Sequence, residues 1–210
     1  RVAKKGFNMS RINVLSALTK LRQICNHPSL VLDNLDENHS SGKIDALLEL
    51  VEDAIEGEHK IIVFSQFVQM LKIIKDKFES KKISYEYLDG STRNRMERVR
   101  NFNNNENIDT FLISLKAGGT GLNLTSADIV IHVDPWWNPM VERQASDRAH
   151  RIGQDKRVFV YKLITRGTVE EKMIKLQKKK KNIFDKVIEN NSSPIESITW
   201  QDIQELLNYN

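Results

Sequence analysis

A glutamine and two arginines near position 150 form the chain's most distinctive chemical pattern. The segment 141–151 follows a turn bracketed by prolines and has the pattern of a helix. On such a helix Gln144, Arg148 and Arg151 lie at positions i, i+4 and i+7, which is one face. Two cations on one stripe favour an anionic ligand.

Ordinary ion pairing on a helix surface is the alternative interpretation. Asp147 lies four residues after Arg143 and four before Arg151, a spacing that stabilises a helix by only about 0.2–0.5 kcal/mol. Arg148 has no acid at i±4. The helix alone therefore leaves both interpretations open.

A glycine-rich loop precedes this helix. The apolar run TFLIS predicts a buried parallel strand, and it ends at a loop containing Gly118, Gly119 and Gly121. Glycines there let backbone N–H groups close on a phosphate. The loop lacks the G-x-G-x-x-G spacing of a dinucleotide-binding turn, although Asp134 ends the next strand and keeps that alternative open.

Polar residues follow two other predicted strands. Ser65 and Gln66 follow IIVFS, and Gly90, Ser91 and Thr92 follow SYEYLD. In open α/β sheets ligands bind at the carboxyl ends of strands, where hydroxyls and N–H groups suit phosphate oxygens. The alternative is that Ser65 and Thr92 only cap their helices.

Six stretches resemble, in order, motifs of SWI/SNF-type chromatin-remodelling ATPases, a branch of the superfamily-two helicases. They are LRQICNHPSL at 21–30, SGK at 41–43, IIVFSQF at 61–67, DGST at 89–92, LKAGGTGLNLTSADIVIHVDPWWNP at 115–139 and QASDRAHRIGQ at 144–154. The resemblance covers about residues 12 to 175. Several long motifs in one order are far more specific than a lone glycine motif.

The resemblance implies the second motor lobe of an ATP hydrolase that translocates on double-stranded DNA. The sequence contains no G-x-x-x-x-G-K-[ST] loop and no credible acidic Mg²⁺ box, so we expect this chain alone to be inactive. ATP with Mg²⁺ is expected to bind mainly to an N-terminal RecA-like lobe that this chain lacks. The implied catalytic residues are Arg148, Arg151 and Gln144, and the implied nucleotide-binding residues are Gly119, Gly121, Asn123, Arg148 and Arg151.

The expected partners are double-stranded DNA, the N-terminal lobe and a DNA-bound protein complex, with no membrane. We expect one tryptophan of the pair to pack into the domain and Trp137 to be available to DNA. Lys43 is expected to be an exposed residue at a helix start. The expected DNA contacts are Ser65, Gln66, Gly90, Ser91, Thr92, Lys116, Gly118, Gly119 and Trp137, and no metal ligands are expected.

The order of elements predicts an α/β fold. From Gly42 onward strands alternate with helices, which implies a mostly parallel sheet with helices on both faces, a RecA-like three-layer sandwich with flanking helices. The expected organisation is a helical lead-in and linker over 1–41, the lobe over 42–166 and C-terminal brace helices over 167–210. Within the lead-in, we expect residues 1–8 to be mobile and Ser10 to cap a helix ending near Cys25.

Composition narrows the class of protein. A formal charge of +4 and a pI near 9.1 favour an anionic partner. A single cysteine fits a reducing compartment, and no signal peptide or membrane-spanning run is recognisable, so we expect an intracellular protein: cytoplasmic and nucleoid-associated if bacterial, nuclear if eukaryotic. The chain begins at Arg1 without a methionine, which suggests a fragment of a longer protein.

Two other functions stay open. An RNA helicase lobe has the same fold, but such lobes usually carry a His-x-x-Gly-Arg pattern where this chain has Gln144 followed by Asp147 and Arg148. A non-catalytic DNA-binding module has the same basic surface, but Arg151 would then have no effect on ATP turnover.

Overall fold

The computed structural model describes residues 2–32, 41–118, 121–150, 156–179, 202 and 206, with side chains from residue 13 onward. The chain divides into two compact units. One consists of residues 40–164, and the other combines residues 1–39 with 165–210. None of the helices in the described part of the chain is both long and apolar enough to cross a membrane.

The unit 40–164 is built on a five-stranded parallel sheet with strand order β2-β3-β1-β4-β5. In the central strand, Ile61 is in register with Thr110 on one side and with Ile129 on the other. The predicted parallel α/β sheet is therefore confirmed. The strands are β1 Ile61–Ser65, β2 Tyr85–Leu88, β3 Thr110–Ser114, β4 Ile129–His132 and β5 Phe159–Lys162.

Helices alternate with these strands along the chain. The α-helices are α1 Val2–Asn26, α2 Gly42–Glu56, α3 Val68–Lys81, α4 Arg95–Asn104, α5 Leu115–Gly118, α6 Pro139–Ser146 and α7 Val169–Lys179. Helices α1 and α7 belong to the unit that combines residues 1–39 with 165–210, and α2 to α6 belong to the unit 40–164. A short 3₁₀ helix, Pro28–Leu30, follows α1.

The core of the unit 40–164 surrounds the central strands. Every residue of β1, β3 and β4 is buried, as expected for parallel strands whose two faces are covered. Phe102 of α4 packs on Phe111 of β3 with ring centroids 5.1 Å apart. Lys60 donates hydrogen bonds to the carbonyls of Phe102 and Asn105, which satisfies the end of α4. The central strands therefore form a rigid platform for the loops at their carboxyl ends.

In the second unit, the first helix begins earlier than the sequence predicted. Helix α1 begins at Val2, so residues 2–8 are helical and Ser10 lies inside the helix instead of capping it. Alanine and lysine near the start are good helix formers, which explains the longer helix. The two chain segments of this unit are joined by a hydrogen bond, which Thr165 Oγ1 donates to the carbonyl of Cys25 at 3.1 Å.

Candidate functional site

Arg148 lies in a turn and not on a helix. Helix α6 ends at Ser146 and Asp147 is its C-cap, so the predicted helical face shared by Gln144 and Arg148 is wrong. The backbone N–H of Arg148 donates to the carbonyl of Ala145 at 3.1 Å, which continues the chain as a tight turn. Gln144 is exposed and Arg148 is half-buried, while Arg151 lies outside the described residues.

Among the described residues, one of the two ion pairs that the helix spacing allowed, Asp147 with Arg143, is not formed. No salt bridge joins Asp147 to Arg143 within the described ranges, and their contact is the backbone hydrogen bond from the Asp147 N–H to the Arg143 carbonyl at 2.8 Å. The spacing of the two residues therefore reflects the helix end, not charge pairing.

Helix α6 begins two residues earlier than predicted because its start is capped. Asn138 is the N-cap, and its side-chain oxygen accepts a hydrogen bond from the Met140 N–H at 3.0 Å. Pro139 occupies the first helical position, where its missing N–H has no helical partner to lose. The asparagine and proline fix the direction in which α6 leaves β4.

The loop after α5 is joined to the arginine turn. The Leu124 N–H donates to the Arg148 carbonyl at 3.1 Å, and Asn103 Nδ2 donates to the Asn123 carbonyl at 2.9 Å. Gly121 has a φ of +61°, a conformation that disfavours residues with a side chain. The loop that carries Gly121 and Asn123 is therefore bonded to Arg148 through Leu124, while Gly119 lies outside the described residues.

Gly118 is a packing position and not part of an open loop. Residues 115–118 form the single helical turn α5 directly after β3, where the sequence predicted a loop. Gly118 is buried, and a Cβ at this position would lie 2.8 Å from Cε1 of Phe64. The expectation of an open glycine facing DNA is therefore wrong for Gly118. Lys116 on the same turn is exposed, as a phosphate contact requires.

Ser65 is buried at the end of β1. It is 1% exposed, and its hydroxyl donates to Asp134 Oδ1 at 2.6 Å while accepting from the Phe67 N–H at 3.1 Å. The hydroxyl therefore neither faces solvent nor caps α3, so both sequence-based interpretations of Ser65 are wrong.

Asp134 is an internal anchor for the exit of β1. Besides the Ser65 hydroxyl, its carboxylate accepts from the Gln66 N–H at 3.1 Å. Asp134 is 3% exposed, so this acid is not placed to bind a ribose, and the dinucleotide alternative loses its acidic residue. The side chain of Gln66 is half-buried at the same edge.

The loop after β2 is organised by Asp89, a residue that the sequence analysis missed. Its Oδ1 accepts from the Ser91 N–H at 2.8 Å and from the Ser91 hydroxyl at 2.6 Å, and Thr92 Oγ1 accepts from the Asp89 N–H at 3.0 Å. Thr92 therefore holds the loop and does not cap α4, whose N-cap is Asn94. Aspartate before Gly-Ser-Thr is a signal for such a side-chain-bonded turn.

Hydrogen bonds keep Asp89 ionised. Burial on its own would raise the pKa of the Asp89 carboxyl, but hydrogen bonds from Ser91, Tyr87 and Thr92 outweigh it and lower that pKa. Burial and the neighbouring Asp89 in turn raise the pKa of Tyr87. The loop therefore presents the exposed residues Gly90 and Ser91 on a fixed backbone.

A groove of about 890 Å³ adjoins this loop at the open edge of β2. Its basic lining includes Lys72 and Lys75 of α3 and Arg93 beside Ser91 and Thr92. Arg98 also lines the groove and pairs with the buried Glu86 at 3.0 Å. The sequence carries no local signal for this cluster of cations, because their proximity depends on the packing of α3 and α4.

Trp137 and Lys43 are both more buried than the sequence predicted. Trp137 is 9% exposed, so it is not open to DNA as predicted, whereas Trp136 is half-buried and packs against the core. Lys43 is 7% exposed at the start of α2, where Ser41 Oγ caps the helix by accepting from the Ile44 N–H. The expectation of an exposed Lys43 is therefore wrong.

Within the described part of the chain, no group of three His, Cys, Asp or Glu residues is arranged to hold a metal ion. His132 is buried and stacks on Phe64 with ring centroids 5.4 Å apart. Burial, and secondarily the charge of Lys162, lowers the pKa of His132 to about 3. The His132 imidazole is therefore neutral at pH 7.

Comparison with known proteins gives the family. The model of the helicase conserved C-terminal domain matches residues 42–153. The chain belongs to this family. Its similarity to the C-terminal domain of a SWI2/SNF2 ATPase shows further that it is a C-terminal lobe of the SWI2/SNF2 type.

Individual relatives agree with this assignment. The chain is 41% identical over 199 residues to an uncharacterized ATP-dependent helicase of Mycoplasma pneumoniae, covering 94% of this chain and 19% of that protein. The chain is also 34% identical to the C-terminal domain of the Sulfolobus solfataricus SWI2/SNF2 ATPase, with a TM-score of 0.73 and coverage of 93% and 81%.

The core of the Sulfolobus enzyme has also been solved in complex with double-stranded DNA. This core is 35% identical to our chain, with a TM-score of 0.77. The match covers 95% of this chain and 42% of the Sulfolobus core. The chain spans about a fifth of the length of the curated relatives it matches.

Proposed function

We propose that this chain forms the second motor lobe of an ATP-dependent translocase on double-stranded DNA. It would work with an N-terminal lobe that lies outside this chain. The observation that carries the proposal is the junction of Arg148 with the loop that contains Gly121 and Asn123. The main-chain bond from Leu124 to Arg148 holds the arginine turn beside the loop that carries two other predicted nucleotide-binding residues.

The residues at the junction suit an anion. Arg148 supplies a guanidinium group that remains protonated at all working pH values. Gly121 is exposed, and no atom of the described residues lies within 4 Å of a Cβ built on it, so its backbone is open to close approach.

Each residue has a defined role when the lobes close. ATP with Mg²⁺ supplies the phosphoanhydride bond whose hydrolysis drives the cycle. Arg148, together with Arg151, stabilises negative charge on the transferred phosphoryl group, a contribution worth on the order of 10³–10⁵ in rate for such arginines. Gln144, which is exposed on α6, donates a hydrogen bond to the nucleotide or to a neighbouring motif.

The DNA contacts are proposed at the carboxyl ends of β1, β2 and β3. Accessible groups there bind phosphates, which fixes the position of the duplex without reading its sequence. Ser65, Gly118 and Trp137 are excluded because they are buried. The remaining contacts are Gln66, Gly90, Ser91, Thr92, Lys116 and Gly119, and Arg93 is added from the neighbouring groove.

Support for duplex DNA as substrate comes from the Sulfolobus SWI2/SNF2 core, which was solved with double-stranded DNA. Support for ATP comes from relatives named as ATP-dependent helicases. An RNA helicase is disfavoured because the similar solved structures are SWI2/SNF2 ATPases. A non-catalytic DNA-binding module is disfavoured because the relatives are named as ATP-dependent helicases.

The test is ATP turnover by this chain joined to its native N-terminal lobe, compared with this chain alone, each with and without duplex DNA or duplex RNA. We expect turnover only in the two-lobed protein, stimulated by duplex DNA. Turnover by the isolated chain would place a nucleotide site within it, and a two-lobed protein without turnover would favour a binding module. Stimulation by RNA alone would favour an RNA helicase.

A further inference from the structure

We propose that Glu142 is a positioning residue for the arginine turn and that it acts with Lys162 through helix α6. The inference rests on the proposed function, because the group being positioned is Arg148. Glu142 itself does not reach the phosphate: it is 1% exposed and lies on the inner side of α6.

One buried carboxylate joins three segments of the lobe. Glu142 Oε1 accepts a hydrogen bond from the Trp136 N–H at 2.6 Å, in the turn before α6. Glu142 Oε2 accepts a hydrogen bond from Lys162 Nζ, at the end of β5. The first turn of α6 is thereby tied both to the chain that leads into it and to the edge strand of the sheet.

The other end of α6 is anchored to β4. His132 Nε2 is 2.9 Å from Ser146 Oγ, and Ser146 Oγ donates to the Glu142 carbonyl at 3.0 Å. Because that hydroxyl proton is used, His132 Nε2 acts as the donor to Ser146. The helix is therefore held at its first turn by β5 and at its last residue by β4.

Arg148 follows the second anchor by only two residues, and its own N–H bonds back to the Ala145 carbonyl. A rotation of α6 would therefore carry the arginine turn with it. Since a displacement of 1 Å in a catalytic group costs on the order of 10² in rate, loss of the anchor at Glu142 should reduce turnover without any direct contact to substrate.

The chemistry of a buried pair predicts an asymmetry between variants. If Lys162 is removed, the Glu142 charge stays buried with one hydrogen bond from a neutral N–H, and α6 must shift to hydrate it. If both charges are removed, that driving force disappears. The single change at Lys162 should therefore reduce turnover more than the double change.

The experiment uses the full-length, two-lobed protein with duplex DNA. The variants are Lys162→Met, Lys162→Met combined with Glu142→Met, Lys162→Arg and Glu142→Asp. Lys81→Met is the matched control, because Lys81 forms an exposed pair with Glu52 on the same lobe. We expect Lys162→Met and Glu142→Asp to lower kcat by about 10- to 100-fold with little change in the KM for ATP. Lys162→Arg and Lys81→Met should keep most of the turnover, and the double variant should lose less than Lys162→Met alone.

A second readout needs no nucleotide. Amide hydrogen exchange in the segment 136–146 should be faster in Lys162→Met and unchanged in Arg148→Ala. A lower kcat with unchanged exchange would overturn positioning, since the pair would then act on the chemistry directly. If Lys162→Met does not fold, Glu142→Asp provides the same two measurements, and normal kcat in that variant would overturn the inference.

The failure of this inference is separable from failure of the proposed function. Loss of turnover in Arg148→Ala with normal turnover in Lys162→Met and Glu142→Asp would overturn only the role of the buried pair. Full turnover in Arg148→Ala would overturn the proposed role of the arginine, and with it the purpose of the anchor.

Discussion

The backbone N–H of Leu124 donates a hydrogen bond to the backbone carbonyl of Arg148 at 3.1 Å. This bond joins the loop that follows β3 to the turn that follows α6, two segments that are distant in sequence. Because the bond uses main-chain atoms, it persists when either side chain is changed. The position of the Arg148 backbone therefore depends on the conformation of this loop.

Arg148→Ala should reduce DNA-stimulated ATP turnover of the two-lobed protein by about 10³-fold or more, because the guanidinium group no longer stabilises the developing phosphate charge. The affinity for duplex DNA should change by less than about two-fold, since the backbone bond to Leu124 is retained. Arg151→Ala is expected to behave in the same way.

The measurements are steady-state turnover and DNA binding at one fixed salt concentration. Arg157→Ala is the matched control, because Arg157 is an exposed arginine whose guanidinium group lies over the Phe159 ring. A variant of Arg148 with undiminished turnover, or a parallel loss of DNA affinity, would contradict its assignment to the nucleotide.

Gly118→Ala should lower the free energy of unfolding of the chain by about 1–3 kcal/mol, because the new methyl group would meet the Phe64 ring at 2.8 Å. Gly90→Ala is the control: nothing lies within 4 Å of a Cβ there, and its φ is not positive. That change should alter stability by less than about 0.5 kcal/mol. Chemical denaturation compares the two variants, and equal stability would contradict the packing role of Gly118.

His132 should make the folded state sensitive to mild acid. Its pKa lies near 3 in the folded chain and at its ordinary 6.5 when unfolded, so between these values the unfolded state binds more protons. Stability therefore falls as pH falls, with His132 contributing a loss of about 2 kcal/mol between pH 7 and pH 5.

The measurement is urea unfolding at a series of pH values. His132→Gln should flatten the dependence in this window by removing the titrating group, even if the variant is less stable at pH 7. His150→Gln, a change at an exposed histidine, should leave the dependence in place. An unchanged slope in His132→Gln would show that other groups cause the acid sensitivity.

The parallel sheet was predictable because its signals are local. Runs such as IIVFS and TFLIS are apolar throughout, and strands buried on both faces require that composition. The alternation with helices then dictates the parallel connection. The start of α1 was missed because residues 1–8 lack an apolar stripe, although their helix propensity is sufficient.

The site was harder to predict because its contacts join distant parts of the chain. The interpretation of Ser65 as an exposed hydroxyl failed because its partner, Asp134, follows a different strand. The helical face of Gln144 and Arg148 failed because nothing in the local pattern marks a helix end at Ser146. The role of Asp89 was within reach of sequence reasoning, since its partners are the next residues along the chain.

The strand order has a consequence for how the lobe is made on the ribosome. Strand β1 emerges first but takes the centre of the sheet, where its two neighbours, β3 and β4, come from much later parts of the chain. Contacts of such large sequence separation form slowly. The nascent chain must therefore carry the apolar strand IIVFS unpaired until β3 has been made, and during that interval this strand is open to aggregation.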